Sequence, residues 1–271
     1  GASSSQPIPG PIQAHTWLVR GLREGIVTSR YPLRPDDYGP NFRGAVSAIS
    51  SGSAEVGISA LCPTGAIAGE GGELRVDRGR CIACGRCVAE RPDLFRFDSS
   101  PEVAGLSRSA LVVPAIGEDD GALAEVRSDL GRRVRALKRS VHIRHVDAGS
   151  DGSEEWEVAA LGNPVYDIQR LGLFFTASPR HADLLLVTGA GTAGMVAPLR
   201  RTWEAMPDPK VVVAAGTDAV SGGLVHPTYA TRGGIADVVP VDVWVPGSPP
   251  SPFSLLHGLL LAIGLLPRRH K

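Results

Sequence analysis

The chain has 271 residues, 43% of them apolar and 21% charged, with 28 basic and 28 acidic side chains and so no net charge. That length can bury a core without covalent staples, and the balance excludes a disordered chain or one built electrostatically for nucleic acid. The longest apolar run, near Phe253 to Leu266, is interrupted by Ser254, His257 and Gly258 and is too short to span a bilayer, so membrane contact is expected only through partners.

Residues 1–10 form a Gly/Ser/Pro-rich tail. An amphipathic helix is expected next, with Ala14, Trp17, Leu18 and Leu22 at helical spacing. Arg20, Arg23 and Glu24 mix charge signs beside that stripe, which suits a docking face better than a membrane anchor.

All four cysteines fall in the following stretch: Cys62 before Pro63, then Cys81, Cys84 and Cys87 in R-C-I-A-C-G-R-C-V. Four thiolates are what a 4Fe–4S cube needs, and C-x2-C-x2-C with a remote C-P is a ferredoxin spacing. Gly85 frees a tight loop to wrap three corners, and Pro63 stops the chain continuing as helix at the fourth. Tetrahedral zinc also accepts four thiolates, usually from two C-x2-C knuckles, and stays the alternative. A disulfide framework is not expected, because three cysteines so close in sequence pair badly and no secretory leader is read.

Residues 119–139 read as a connecting helix with Leu123, Val126, Leu130, Val134 and Leu137 in one stripe. Arg132, Arg133, Arg135, Lys138 and Arg139 crowd its last turns, where the helix dipole favours them, and read as a solvated face, with a patch for an acidic partner as the sharper alternative. From Val141 short strands alternate with helices: Val141–Val146, Leu171–Thr176, Leu184–Val187, Val211–Ala214 and Asp237–Val241 are β-rich, while 193–206 and 252–265 are helical. This predicts an α/β domain on a largely parallel sheet, with functional loops at the carboxyl ends of its strands.

Gly189, Gly191 and Gly194 spell G-x-G-x-x-G between a strand and a helix, the context of a dinucleotide fingerprint. The acidic residue expected at the end of the next strand is missing: Asp208 comes too early and Asp218 too late, and Pro198 intrudes on the helix. A tight strand-to-helix turn is the preferred reading, with nucleotide binding as the alternative. His142, His145, His181, His226 and His257 are scattered and read as structural.

The strings S-P-R-H-A-D-L-L-L-V-T-G (178–189), P-D-P-K-V-V-V-A-A-G (207–216), S-G-G (221–223) and V-P-V-D-V-W-V-P-G-S-P-P (239–250) resemble the small subunit of formate hydrogenlyase-type membrane-bound NiFe-hydrogenases and the cluster-carrying subunit of respiratory complex I. The amino-terminal half, with T-S-R-Y-P-L (28–33), N-F-R-G (41–44) and the cysteines, is similar to the polyferredoxin subunit of the same hydrogenlyase complexes. The chain thus looks like a fusion of two neighbouring electron-transfer subunits.

The resemblance implies a proximal cluster held by cysteines in a C-x2-C, a G-x-C loop and P-G-C-P-P. Those places read D-G-S-E (Asp151 to Glu154), G-T-D (Asp218) and P-G-S-P-P (Ser248), and no cysteine follows Cys87. Oxygen ligands suit a cluster poorly, so that cluster is expected to be lost. A two-cluster ferredoxin crosses its ligands between motifs, which puts the second cube on Gly52, Glu55, Ile58 and Arg91, none a cysteine. Cys62 with Cys81, Cys84 and Cys87 is expected to hold the one remaining 4Fe–4S cluster. The emptied proximal site, with Asp151, Glu154 and Asp218 converging near Ser248, either holds a hard cation or, as preferred, is filled by hydrogen bonds and ion pairs.

The expected architecture is an α+β ferredoxin-like module followed by an α/β flavodoxin-like domain. Its parts are a tail and helix at 1–27, the one-cluster module at 28–105, a linker with helix at 106–140, and the hydrogenase-small-subunit-like domain at 141–271. No nucleophile, general base or triad stands out. The chain reads as a non-catalytic electron-transfer or scaffold subunit, cytoplasmic and peripheral on the inner face of the membrane through hydrogenase-like or complex I-like partner subunits. With the proximal cluster absent the family's electron path is cut, so a purely structural subunit with a fold-stabilising cluster is the alternative. A nucleotide- or metal-dependent enzyme using the vacated site is a third.

Overall fold

The computed structural model describes residues 14–34, 38, 42–49, 57–70, 73–114, 120–134 and 140–266. The first element among the described residues is helix α1 (Ala14–Glu24), on which Trp17 and Leu22 are exposed. A two-stranded antiparallel sheet pairs β1 (Val46–Ala48) with a later strand, and a second antiparallel sheet begins with β2 (Ile67–Glu70) and β3 (Glu73–Asp77). The short helix α2 (Arg86–Glu90) leads to β4 (Phe95–Phe97), the partner of β1, and β5 (Val112–Val113) completes the second sheet beside β3. Val46, Ile58, Ile67, Leu74, Val76, Leu94 and Phe95 form the buried core of this part, with Cys62, Cys81 and Cys87 packed on it.

Helix α3 (Asp120–Val134) follows; the expected stretch from 135 to 139 lies outside the described residues. Leu130 is buried while Val126 is exposed. The basic run is not wholly a solvated face. Arg132 is exposed beside Asp129, but Arg133 donates to Asp242 at 2.6 Å and to the Lys210 carbonyl at 3.2 Å, which fastens the helix to the next domain.

That domain is a five-stranded, all-parallel sheet of β6 (Val141–Asp147), β7 (Leu173–Phe175), β8 (Leu184–Thr188), β9 (Val211–Ala215) and β10 (Val243–Val245), in the order β10-β9-β8-β6-β7. Numbered within the domain this is 2-1-3-4-5, the doubly wound order whose switch point falls between its first and third strands, here β6 and β8. Its central strands read L-L-L-V-T and V-V-V-A-A because both faces are covered. Leu184, Leu186, Val211 and Val213 point to the face packed by α4 (Ser153–Ala160) and α7 (Pro252–Ala262). Leu185, Val187, Val212 and Ala214 point to the face of α5 (Ala193–Ala205) and α6 (Thr217–Ser221). Pro252 opens α7 where its missing N–H costs nothing, and Ser251 caps it by accepting from the Ser254 amide at 3.2 Å.

One strand differs from expectation. The last strand is Val243–Val245, not 237–241, where Val238 and Val239 donate their amides back to the Ile235 carbonyl in a turn. Pro240 has no amide for a ladder, and Asp242 caps the edge instead by accepting the Val212 N–H at 2.8 Å.

The two halves share surfaces. Tyr31 is fully buried in the sheet domain's core, edge-on to Phe253, and its carbonyl accepts from Arg170 at 2.8 Å. Gly105 and Trp244 exchange backbone hydrogen bonds at 2.9 Å, so residues on the amino-terminal side add to the β10 edge.

Candidate metal centre

The cysteines come from two turns. The single-turn helix over Ile58–Leu61 ends at Cys62, whose sulfur accepts the Ala66 amide at 3.2 Å and lies 3.4 Å from the Thr64 hydroxyl; Gly65, at φ +64°, bends the chain back to make that contact. After β3, a turn held by Asp77 delivers Cys81, and Ala83 (φ 51°) and Gly85 (φ 76°) turn the chain left-handed on either side of Cys84. A side chain at Gly85 would meet the Phe97 ring at 3.1 Å, and the positive φ there favours glycine. Cys87 then sits in the first turn of α2.

Cys62, Cys81, Cys84 and Cys87 line one cavity, whose remaining wall is largely apolar: Val46, Leu61, Pro63, Ala66, Ile67 and Val76. Burial pushes the Cys81 thiol up to about 11, against the lowering hydrogen bond from the Ala83 amide and with help from the charges of the other three cysteines. Burial also raises Cys87. Four soft donors round a dry cavity, with amides aimed at two of the sulfurs, fit an iron–sulfur group whose positive iron would hold all four as thiolates. Among the described residues no group of three or more His, Cys, Asp or Glu side chains is gathered so as to hold a metal ion.

The positions where the resemblance expects further cluster ligands have different fates. Gly52 and Glu55 lie outside the described residues. Ile58 is buried in the core beneath the cysteines, and Arg91 closes α2 and holds Asp93 through two contacts, at 3.0 and 2.8 Å. Asp151, Glu154 and Asp218 lie near the carboxyl ends of β6 and β9, within electrostatic reach of one another, but are not gathered so as to hold a metal ion. Burial pushes the Glu154 carboxyl up to about 7, with the charges of Asp218 and Asp151 adding to it. Burial raises Asp218 too, with help from Asp151 and Glu155. Asp151 is lowered instead by hydrogen bonds from Ser153, whose amide it accepts at 2.9 Å, and the Ser153 hydroxyl reaches Glu154 at 3.1 Å. Ser248 lines another cavity, shared with Cys81, Arg43 and Arg78, between the two halves.

Sequence reasoning passed over two sets of residues here. At the β6/β8 switch point Thr188, fully buried, donates to Glu155 and lies 3.0 Å from His145 Nε2, while Ser150 donates to the other Glu155 oxygen at 2.6 Å. Burial lowers the His145 pKa in spite of Glu155 and Asp147, which favours the neutral ring. The second set is Thr217 and Ser221 of α6, whose hydroxyls donate to the carbonyls of Cys81 at 3.1 Å and Gly79 at 2.7 Å.

The glycine loop is occupied by the chain itself. A Cβ on Gly189 would stand 2.6 Å from backbone atoms of Gly149 and Ser150. The amides of Ala190, Thr192 and Ala193 donate to the carbonyls of Gly149, Ala148 and Ala230. Three of the loop's amides are thus used within the fold, which supports the tight-turn reading.

Residues 152–262 match the family described as the NADH ubiquinone oxidoreductase 20 Kd subunit, and residues 74–135 match a 4Fe-4S single cluster domain, which takes in Cys81, Cys84 and Cys87. The chain is 39% identical over 162 residues to formate hydrogenlyase subunit 7 of Escherichia coli, covering 60% of this chain and 62% of that protein, so it spans less than two thirds of that relative. It is 39% identical over 149 residues to the probable membrane-bound hydrogenase subunit mbhJ of Pyrococcus furiosus, covering 54% of this chain and 89% of that one. A chain of the membrane-bound sulfane sulfur reductase, an archaeal respiratory membrane complex, is similar at 31% identity and a TM-score of 0.44, over 49% of this chain and 73% of that one. With its sheet domain matched across nearly the whole of one such subunit, and a 4Fe-4S domain preceding it, the chain belongs to the family that unites the 20 Kd subunit of NADH ubiquinone oxidoreductase with its membrane-bound hydrogenase counterparts.

Proposed function

We propose that the chain is an electron-transfer and scaffold subunit of a hydrogenase-like or complex I-like membrane assembly, carrying one 4Fe–4S cluster on Cys62, Cys81, Cys84 and Cys87. The observation that carries this reading is the single cavity lined by every cysteine of the chain. The bound cluster would supply one-electron chemistry at a potential set by hydrogen bonds to sulfur and by solvent access. The residues supply the rest: the Ala66 and Ala83 amides donate to Cys62 and Cys81, apolar side chains exclude water, and exposed Cys84 marks the side open to a partner.

In this reading residues 28–105 are the ferredoxin-like module, 106–140 connect, and 141–271 are the small-subunit-like domain, with the proximal position closed by Glu154 and its neighbours. Among the described residues no helix is long and apolar enough to cross a membrane. Attachment to the cytoplasmic face is accordingly assigned to partner subunits, with the exposed stripe of α1 as one docking element.

The test is anaerobic purification of the full chain with iron and sulfide counts and spin resonance after reduction. One reducible 4Fe–4S cluster per chain is expected. Zinc in its place, or two cubes, would overturn the assignment. A cluster present but irreducible short of unfolding would favour the purely structural reading, which the hydrogen bonds from α6 to the cysteine turn also suit.

A further inference from the structure

The turn that delivers Cys81 is gripped from the other half of the molecule. Thr217 and Ser221 stand one helical turn apart on α6, and their hydroxyls donate to carbonyls two residues apart, those of Cys81 and Gly79. Thr217 is fully buried and its groups are all committed: its amide donates to the Gly247 carbonyl at 2.7 Å, and its hydroxyl oxygen accepts the Gly247 amide at 3.1 Å. Its one hydroxyl proton is given to the Cys81 carbonyl. The approach is close as well, since a Cβ on Gly79 would stand 2.8 Å from Val220 of the same helix. On its far side the turn is fixed by Asp77, which accepts the Gly79 amide at 2.9 Å and holds Arg108 through two bonds of 2.7 Å.

A carbonyl and the next amide share one plane, so fixing the Cys81 carbonyl fixes the Cys81–Ile82 peptide from which the loop turns toward Cys84. The Ala83 amide, one residue on, is the donor to the Cys81 sulfur, at 3.4 Å. Resting on the reading that the four cysteines hold a cluster, we propose that Thr217 is a positioning residue for it, through which the sheet domain tunes the retention and the potential of a group whose ligands all lie in the other half. The Thr217 hydroxyl dipole polarises the Cys81 peptide in the sense that favours added negative charge nearby, so its removal lowers the midpoint potential. Ser221 acts on a peptide two residues further from the sulfur and has the smaller effect.

The experiment compares the full chain with Thr217→Val, Thr217→Ser and Ser221→Ala, reading iron and sulfide content, the midpoint potential by spin-monitored titration, and the rate of iron loss to a chelator. Thr217→Val is expected to lose iron about ten-fold faster and to titrate at a more negative potential, in line with what outer-shell partners contribute to metal sites. Thr217→Ser is expected to restore both, and Ser221→Ala to shift them less. If the valine variant does not fold, Thr217→Ala, which only removes atoms, is read in the same way. An unchanged potential and iron-loss rate in the hydroxyl-free variant would overturn the proposal, as would equal shifts in the valine and serine variants. Absence of iron and sulfide from the unmodified chain would be a different result, overturning the cluster reading itself.

Discussion

The carboxylate of Glu154 packs against the backbone of Gly216 so closely that a Cβ at residue 216 would stand 2.5 Å from Oε1. Gly216 also holds φ 94°, ψ 149°, a region that side chains rarely adopt. Gly216→Ala is therefore expected to lower stability by about 2 kcal/mol or more, from backbone strain plus displacement of Glu154. Denaturant unfolding of the two proteins measures this, and an unchanged midpoint would show that the loop relaxes freely.

Glu154 makes stability depend on pH in a defined direction. Its carboxyl is raised from 4.5 to about 7, so the folded chain holds a proton that the unfolded chain releases between those values. Its contribution is complete below about pH 4.5 and is lost as pH rises through 7, amounting to about 3 kcal/mol for a group this buried. Asp218, raised as well, acts in the same sense. Glu154→Gln is expected to flatten the fall in unfolding free energy between pH 5 and 8. A slope equal to that of the unmodified chain would assign the effect elsewhere.

The Thr188 hydroxyl joins Glu155 to His145 at the strand switch point. Thr188→Val keeps the shape and deletes both contacts, leaving a partly buried carboxylate oxygen and a ring N–H short of partners. A loss of about 1–3 kcal/mol is expected in thermal or denaturant melts. Thr188→Ser should recover most of it.

On the proposed reading of the four cysteines, cluster removal should act locally. Among the described residues seven buried apolar side chains form the core beneath the cysteines, while both faces of the parallel sheet are densely covered. Chelation, or Cys84→Ala, is expected to abolish hydrogen-exchange protection across residues 57–97 and to preserve it in β8 and β9. Equal loss in both regions would mean that the cluster holds the whole chain together.

Much of the fold could be read along the chain, because its determinants are local. The apolar runs 184–188 and 211–215, Pro252 after Ser251, and the alternation of strands with helices are signals carried by neighbouring residues. The last strand was misplaced because 238–245 is almost uniformly apolar, and register with β9 and Gly105, not composition, selects Val243–Val245. The G-x-G-x-x-G loop lacks its acidic partner in the sequence, which favours a tight turn. Its physical reason, backbone of residues 148–150 pressed against Gly189, depends on a neighbouring strand.

By itself the sequence supplied the candidate donor set, four cysteines at a ferredoxin spacing, and located the oxygen-bearing residues where the resemblance expects thiolates. Only the tertiary structure decided that Cys62 shares a cavity with the other three, that Glu154 is buried against Gly216 while Ser248 faces the cysteine half, and that Thr217 reaches Cys81 across 136 residues of chain. A thiol carries its chemistry wherever it sits. A buried carboxylate or a lone threonine hydroxyl acquires a role only when folding removes water and brings one particular carbonyl within hydrogen-bond reach.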